Sequence, residues 1–189
     1  MLNGYEQSLN EKLIFIGLAV ILIEIFIMLF LPIIMKLDPY SVDNINFGTP
    51  PGGGHILGTD SIGRDVFARL VYGGRVSIFV GFFSTLVSLV IGVPLGLYAG
   101  YYRGITEGLI MRITDIFMAF PGVILVLVAV ALVGPSVWSV SIIIGIMGFT
   151  GFTRLTYSRV LTVSRLGYIE AARVIGTGNS EIIWRYVLP

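Results

Sequence analysis

Four long apolar runs occupy much of the chain, near residues 13 to 35, 76 to 98, 113 to 133 and 137 to 153. Each can form a helix long enough for a hydrocarbon core about 30 Å thick, which takes roughly 20 residues. Backbone groups in lipid must bond internally, and runs of this length without polar alternation do so as helices. The pattern therefore predicts an all-α, polytopic membrane bundle of about four transmembrane helices. The first run follows Asn10, Glu11 and Lys12 and lacks a small-residue cleavage site, so it reads as a retained span and not as a signal peptide. Only Gly134, Pro135 and Ser136 separate the third run from the fourth, which leaves room for a tight helical hairpin and nothing larger.

Inside the second run Ser84, Ser88, Gly92, Gly96 and Gly100 recur at every fourth position. That spacing keeps small side chains on one slowly drifting face, where another helix can approach closely. Ordinary helix packing and the lining of a substrate path are both open readings of this stripe. Gly145, Gly148 and Gly151 in the fourth run carry the same two readings. Pro94 lies within the stripe and predicts a bend that frees a carbonyl.

Of the 189 residues, 56% are hydrophobic and 12% charged, against roughly 45 to 50% and about 25% in a soluble domain. That excludes a soluble globular protein and makes membrane lipid the solvent for much of the surface. A net charge of +1 supplies no basic field to recruit nucleic acid. With no cysteine and the single histidine His55, thiolate and His-rich metal sites are excluded, and no metal or cofactor is expected. A Gly-rich phosphate loop followed by Lys, a His-Glu-x-x-His pair and a Gly-x-Ser-x-Gly elbow are all absent from the sequence. No catalytic constellation is present, so an enzyme is not expected and any energy source must be a gradient or a partner.

Charge sets the expected orientation. Arg154, Arg159, Arg165, Arg173 and Arg185 follow the fourth run, opposed only by Glu170 and Glu181, so residues 154 to 189 are expected in the cytoplasm. Counting back places 134 to 136 outside, 100 to 112 inside, 36 to 75 outside and 1 to 12 inside. In the outer loop, residues Ser61 to Gly74 can form a short amphipathic helix on the membrane, and Asp60 can cap the turn after Gly58-Thr59. Glu24, near the middle of the first run, is costly at membrane depth and can pair with another subunit, bond while protonated or face water. Asp115 is expected to pair locally with Arg112, three residues earlier.

Residues 168 to 175 favour a helix that stops at Gly176, where the absent Cβ permits a left-handed turn. A second short helix can start at Asn179 or Ser180 and run through Tyr186. Two short helices around a glycine turn suit either a docking element or a plain amphipathic surface helix.

Glu170-Ala171-Ala172, Gly176 and Leu188-Pro189 resemble the cytoplasmic EAA loop of permease subunits in ATP-binding-cassette importers. His55-Ile56-Leu57-Gly58-Thr59-Asp60, Gly63-Arg64-Asp65-Val66, Arg69, Gly73, Arg75-Val76-Ser77 and Gly81 are similar to the stretch before the core of the peptide and nickel group. Gly100-Tyr101-Tyr102-Arg103-Gly104, Arg112, Asp115 and Phe120-Pro121 continue the likeness, which points to the C component of dipeptide and oligopeptide systems. Glu107 and Tyr186 depart from the Asp and His frequent in such permeases.

The resemblance implies a MetI-like permease core, here partial, in the plasma (inner) membrane. It divides the chain into a cytoplasmic terminus (1–12), a first span (13–35), an extracytoplasmic loop (36–75), core helices two to four (76–153) and a coupling segment (154–189). Such permeases continue beyond the Leu-Pro with further spans, so the chain is expected to be truncated. The implied partners are a second permease subunit, two cytoplasmic ATPases that hydrolyse the ATP, and an extracytoplasmic substrate-binding protein. The implied cargo is peptides or nickel. Glu170, Ala171, Ala172, Gly176, Leu188 and Pro189 would couple to the ATPase, with both alanines permitting close approach. The rivals are a passive channel or ion-coupled transporter using Glu24, and a non-transporting fragment.

Overall fold

The computed structural model describes the backbone of residues 2–188 and the side chains of residues 12–188. Pro189, one of the expected coupling residues, lies outside them. The helices are α1 (Leu2–Ile34), α2 (Val66–Tyr102), α3 (Gly104–Ala119), α4 (Gly122–Val133), α5 (Val137–Val163), α6 (Gly167–Val174) and α7 (Asn179–Glu181). α7 continues into a π-helical turn over Ile182–Val187. Among the described residues the only β-type pairing is three isolated bridges in the loop before α2. The chain divides into two compact units, residues 1–79 and 80–189.

In the first unit, α1 exposes its apolar side chains all round; of those described only Pro32 is buried, as suits a helix solvated by lipid. It meets the start of α2 at Gly74, where a Cβ would lie 2.2 Å from Met28 Sδ. The loop between them is a polar clasp. Asp60 Oδ1 accepts the backbone N–H groups of Ile62 and Arg64, and its Oδ2 accepts Arg64 Nε at 2.8 Å and Arg69 Nη1 at 2.7 Å. Asp43 gathers the Ile45 and Asn46 N–H groups and the Asn46 side-chain amide. His55 bridges the two ends of the loop, with Nδ1 2.7 Å from Asp65 Oδ2 and Nε2 3.5 Å from Asp43 Oδ2. Gly63, at φ +80°, lies so close to Asp43 that a Cβ would sit 2.2 Å from its carbonyl oxygen, so both backbone angle and space require glycine.

These bonds shift the titrating groups. The Asn46 amide and the Ile45 N–H hold Asp43 down to about 2, and the Arg64 N–H with its guanidinium does the same for Asp60. For Asp65 burial pushes upward, but the Ala68 N–H and His55 together outweigh it and the net shift is down. The Asp65 carboxylate, helped by Asp43, raises His55 above its ordinary 6.5.

The structure corrects the expected helix starts. Residues 61 to 74 do not form a separate surface helix: α2 begins at Val66 and runs unbroken through Pro94 to Tyr102. Asp65 caps it, with Oδ1 accepting Ala68 N–H at 2.7 Å, which satisfies a donor of the first turn. The loop expected over 36–75 therefore ends at Asp65. The terminus expected over 1–12 is helical from Leu2 as part of α1, and α5 extends to Val163, ten residues into the segment expected from 154.

The third expected span is one apolar run in the sequence but two helices in the structure. The apolar run over 113 to 133 is broken at Phe120-Pro121, and α3 and α4 meet at 87°. A residue before proline is pushed out of the helical region, and Phe120 is extended at φ −95°, ψ 142°. Among the described residues three helices, Lys12–Ile34 of α1, α2 and α5, are long and apolar enough to cross a membrane, or four spans if the bent pair counts as one. The α4–α5 turn is tight: Gly134 closes α4 at φ +100°, and the Ser136 hydroxyl accepts the Ser139 N–H at 3.0 Å to open α5.

In the second unit α5 is the central helix. The small-residue face of α2 lies directly on it: a Cβ on Gly92 would be 2.6 Å from Phe149 O, on Gly96 2.5 Å from Thr153 O and on Gly100 2.7 Å from Val160 Cβ. Ser84 and Ser88 are buried, and Ser88 Oγ donates to Gly145 O at 2.7 Å. Both helices count upward along the contact, so α2 and α5 run parallel. Gly145 and Gly148 are as close to α2, whereas Gly151 has open space around it. α3 binds α5 in the opposite sense, through Tyr157 donating to Glu107, Arg154 pairing with Asp115, and the Phe117 and Phe149 rings at 5.3 Å. Asp115 thus pairs across to Arg154 and not along its own helix to Arg112 as the spacing suggested.

Candidate functional site

The segment from Gly167 to Val187 follows α5 after a short turn and divides cleanly into two faces. Ile169, Ala172, Ile182, Ile183 and Val187 point inward and form one buried cluster with Leu97 of α2 and Val160 of α5. Helical geometry dictates the first part of this: Ile169 and Ala172, three apart, share a face, while Ala171 is about 100° round from Ala172. Ala172 is accordingly 4% exposed. The expectation that Ala171 and Ala172 together offer close approach to a partner is corrected, since only Ala171 is on the open side.

The outer face carries Glu170, Ala171, Arg173, Val174 and Ile175. Val174 is 87% exposed and Ile175 78%, so two large apolar side chains stand in the open just before the turn. Gly176 is left-handed at φ +83°, and the chain closes α6 through Gly176 N–H to Arg173 O and Thr177 N–H to Ala172 O. Its Cβ position meets nothing within 4 Å, so the requirement for glycine is conformational and not steric. The π-helical turn ends with Leu188 N–H bonded to Ile183 O at 3.0 Å, leaving Leu188 exposed. That wider turn places Ile182, Ile183 and Val187 on the buried side together.

Three contacts here had no local signal in the sequence. Tyr101 Oη donates to Asn179 Oδ1 at 2.8 Å across 78 positions, Arg173 lies over the Tyr101 ring, and Tyr168 Oη donates to Tyr186 O at 3.3 Å. Elsewhere, Glu24 is exposed on α1 and has no bonded partner among the described residues. Among those residues no group of three or more His, Cys, Asp or Glu is arranged to hold a metal ion.

Residues 92–189 match the family described as "Binding-protein-dependent transport system inner membrane component". The chain is similar to the dipeptide transport system permease protein DppC of Alkalihalophilus pseudofirmus, with 38% identity over 187 residues, covering 99% of this chain and 62% of the relative. It is 40% identical over 150 residues to the glutathione transport system permease protein GsiD of Pectobacterium atrosepticum, covering 79% of this chain and 49% of that protein. The oligopeptide transport system permease protein OppC of Bacillus subtilis is 30% identical over 180 residues, 95% of this chain and 59% of its own length. The chain thus spans between about half and 62% of the length of these relatives. A match over more than half of the chain, joined to a helical bundle with apolar spans, places this membrane protein in the family of binding-protein-dependent transport system inner membrane components.

Proposed function

We propose that the chain is a permease subunit of an ATP-binding-cassette importer, paired with a second permease subunit, seated on two cytoplasmic ATPases and supplied by an extracytoplasmic substrate-binding protein. The names of its relatives favour peptides over nickel as cargo. One observation carries the reading: residues 167–187 are packed into α2 and α5 on one face and present Glu170, Ala171, Val174 and Ile175 on the other. Such a segment rests on close-packed helices, so force applied to its outer face reaches the bundle through that contact.

In this account Glu170 and Ala171 meet the ATPase, flanked by the apolar pair Val174 and Ile175, while Gly176 sets the angle of the turn and Leu188-Pro189 follow it. Ala172 works on the inner side. Ser84, Ser88, Gly92, Gly96 and Gly100 hold α2 to α5 so that the two move as one body. ATP-driven closure of the ATPases then switches the paired permeases between inward-open and outward-open states. The arginine excess from Arg154 onward supports a cytoplasmic position for this end, and α2, running parallel to α5, would then have its C-terminal end on the same side. Glu24, exposed on α1, is assigned to a partner subunit or to water and stands outside the coupling route.

The test uses the importer assembled with its ATPases. Ala171→Trp and Val174→Asp leave the inner cluster intact, so both variants insert normally, yet each lowers ATPase binding and substrate-stimulated hydrolysis by about tenfold or more, as loss of a central interface contact does. Full stimulated hydrolysis and uptake in both variants would remove the assignment.

A further inference from the structure

The turn at Gly176 has a mechanical problem. A segment that transmits force needs a fixed angle between its two halves, but Gly176 and Gly178 leave the connection with soft dihedrals. The apolar cluster beneath it is non-directional and permits sliding. The Tyr168–Tyr186 bond at 3.3 Å ties the two halves to each other but not to α2, so a directional constraint against α2 must come from elsewhere in the molecule.

Tyr101 supplies one. It lies one residue before the end of α2, half-buried at the edge of the cluster. Its hydroxyl donates to Asn179 Oδ1 at 2.8 Å, at the first residue of α7. Arg173 Cζ, in the last turn of α6, is 5.3 Å from the centroid of the same ring, within the range of a cation–π contact. One side chain therefore touches both helices that Gly176 joins. The ring is itself held, edge to face with Tyr102 at 5.2 Å. A phenol has few rotatable bonds and bonds at a fixed reach, so a shift of α6 or α7 is passed to α2 with little slack.

We infer that Tyr101 is a positioning residue that fixes the angle of the coupling turn against α2 and delivers its displacement to that helix, with Asn179 and Arg173 as its two attachment points. This rests on the docking role proposed above for residues 167–187 but makes a separate claim about the route of force. It predicts that the Tyr101 hydroxyl and its acceptor Asn179 act as a unit. Removing the hydroxyl or its acceptor loosens the turn equally, and removing both does no more than removing one.

The absence of cysteine allows spin labels at Leu89→Cys on α2 and Ile175→Cys at the turn, in the purified membrane-embedded protein without ATPases. Tyr101→Phe and Asn179→Ala should each broaden the distance distribution between the labels, the double variant should match either one, and Asn179→Asp, which keeps an acceptor, should restore the narrow distribution. In the assembled importer the same variants should lower substrate moved per ATP hydrolysed by about fivefold, the equilibrium shift that one neutral hydrogen bond typically supplies, with ATPase binding unchanged. A distribution that stays narrow in Tyr101→Phe, effects that add in the double variant, or a loss of coupling explained by lost ATPase binding would each overturn the inference. If the distances broaden as expected but Ala171→Trp leaves ATPase binding intact, the docking role fails and the joint stands.

Discussion

The loop from Asp38 to Asp65 and the α2–α5 contact solve the same problem, close approach of backbone, with opposite chemistry. In the loop four carboxylates, Asp38, Asp43, Asp60 and Asp65, collect backbone N–H groups, an amide, an imidazole and two guanidinium groups. Each is a charge-assisted bond that holds a chain with no regular structure of its own. In the α2–α5 contact the helices satisfy their own backbones and side chains are removed instead: Gly92, Gly96, Gly100, Gly145 and Gly148 bring the axes together, and one hydroxyl, Ser88, bonds across. Water-exposed backbone is fixed by ions, and lipid-embedded backbone by the absence of side chains. The first solution responds to protons and salt, the second to volume.

The largest expected effect breaks the second solution. Gly96→Leu drives a branched side chain into Thr153 O and Thr156 Cβ, which sit 2.5 and 2.6 Å from the Cβ position. Backbone cannot yield as a flexible side chain does, so the variant should lose more than the 1 to 3 kcal/mol typical of overpacking. Gly151→Leu, with nothing within 4 Å, should be tolerated. Thermal unfolding in detergent separates the two, and equal losses would show that the stripe is not a contact.

A smaller effect comes from Ser88→Ala, which removes the bond to Gly145 O and should cost about 1 kcal/mol, since that carbonyl lies within α5 and keeps its helical partner. The same unfolding measurement checks it.

The gentlest test sharpens the comparison through pH. His55 titrates above 6.5 in the folded loop, so its contribution is complete below about 6.5 and is lost as pH rises through the raised value. Asp43 and Asp60 titrate near 2, so theirs is complete above 3.8 and is lost as pH falls toward 2. Opening of residues 58 to 65, measured by hydrogen exchange corrected for intrinsic rates, should be rarest between about pH 4 and 6.5. His55→Gln should abolish the upper limb and weaken the lower one slightly, because His55 also lowers Asp43 and Asp65. Exchange in the α2–α5 contact should be flat over the same range.

Features that act locally are legible in the sequence. Asp60 as a turn cap, the left-handed Gly176, the Gly134–Ser136 hairpin and the four-residue spacing of small side chains all follow from neighbours within a turn. The bend at Pro121 was hidden because hydrophobicity was continuous through it, although the residue before a proline is known to leave the helix. The two faces of α6 were also legible from period alone, since adjacent alanines cannot point the same way. What no local pattern contains is the partner of a side chain far along the chain: Arg154 for Asp115, Tyr157 for Glu107 and Asn179 for Tyr101.

The central claim is that residues 167–187 meet an ATPase with their exposed face while their buried face carries the load. Single cysteines on the cysteine-free chain, each cross-linked in the assembled importer, test it directly. Ala171→Cys, Val174→Cys and Ile175→Cys should cross-link to the ATPase subunit, and Ile169→Cys and Ala172→Cys should not. Cross-links from the buried pair, or none from the exposed three, would contradict the account.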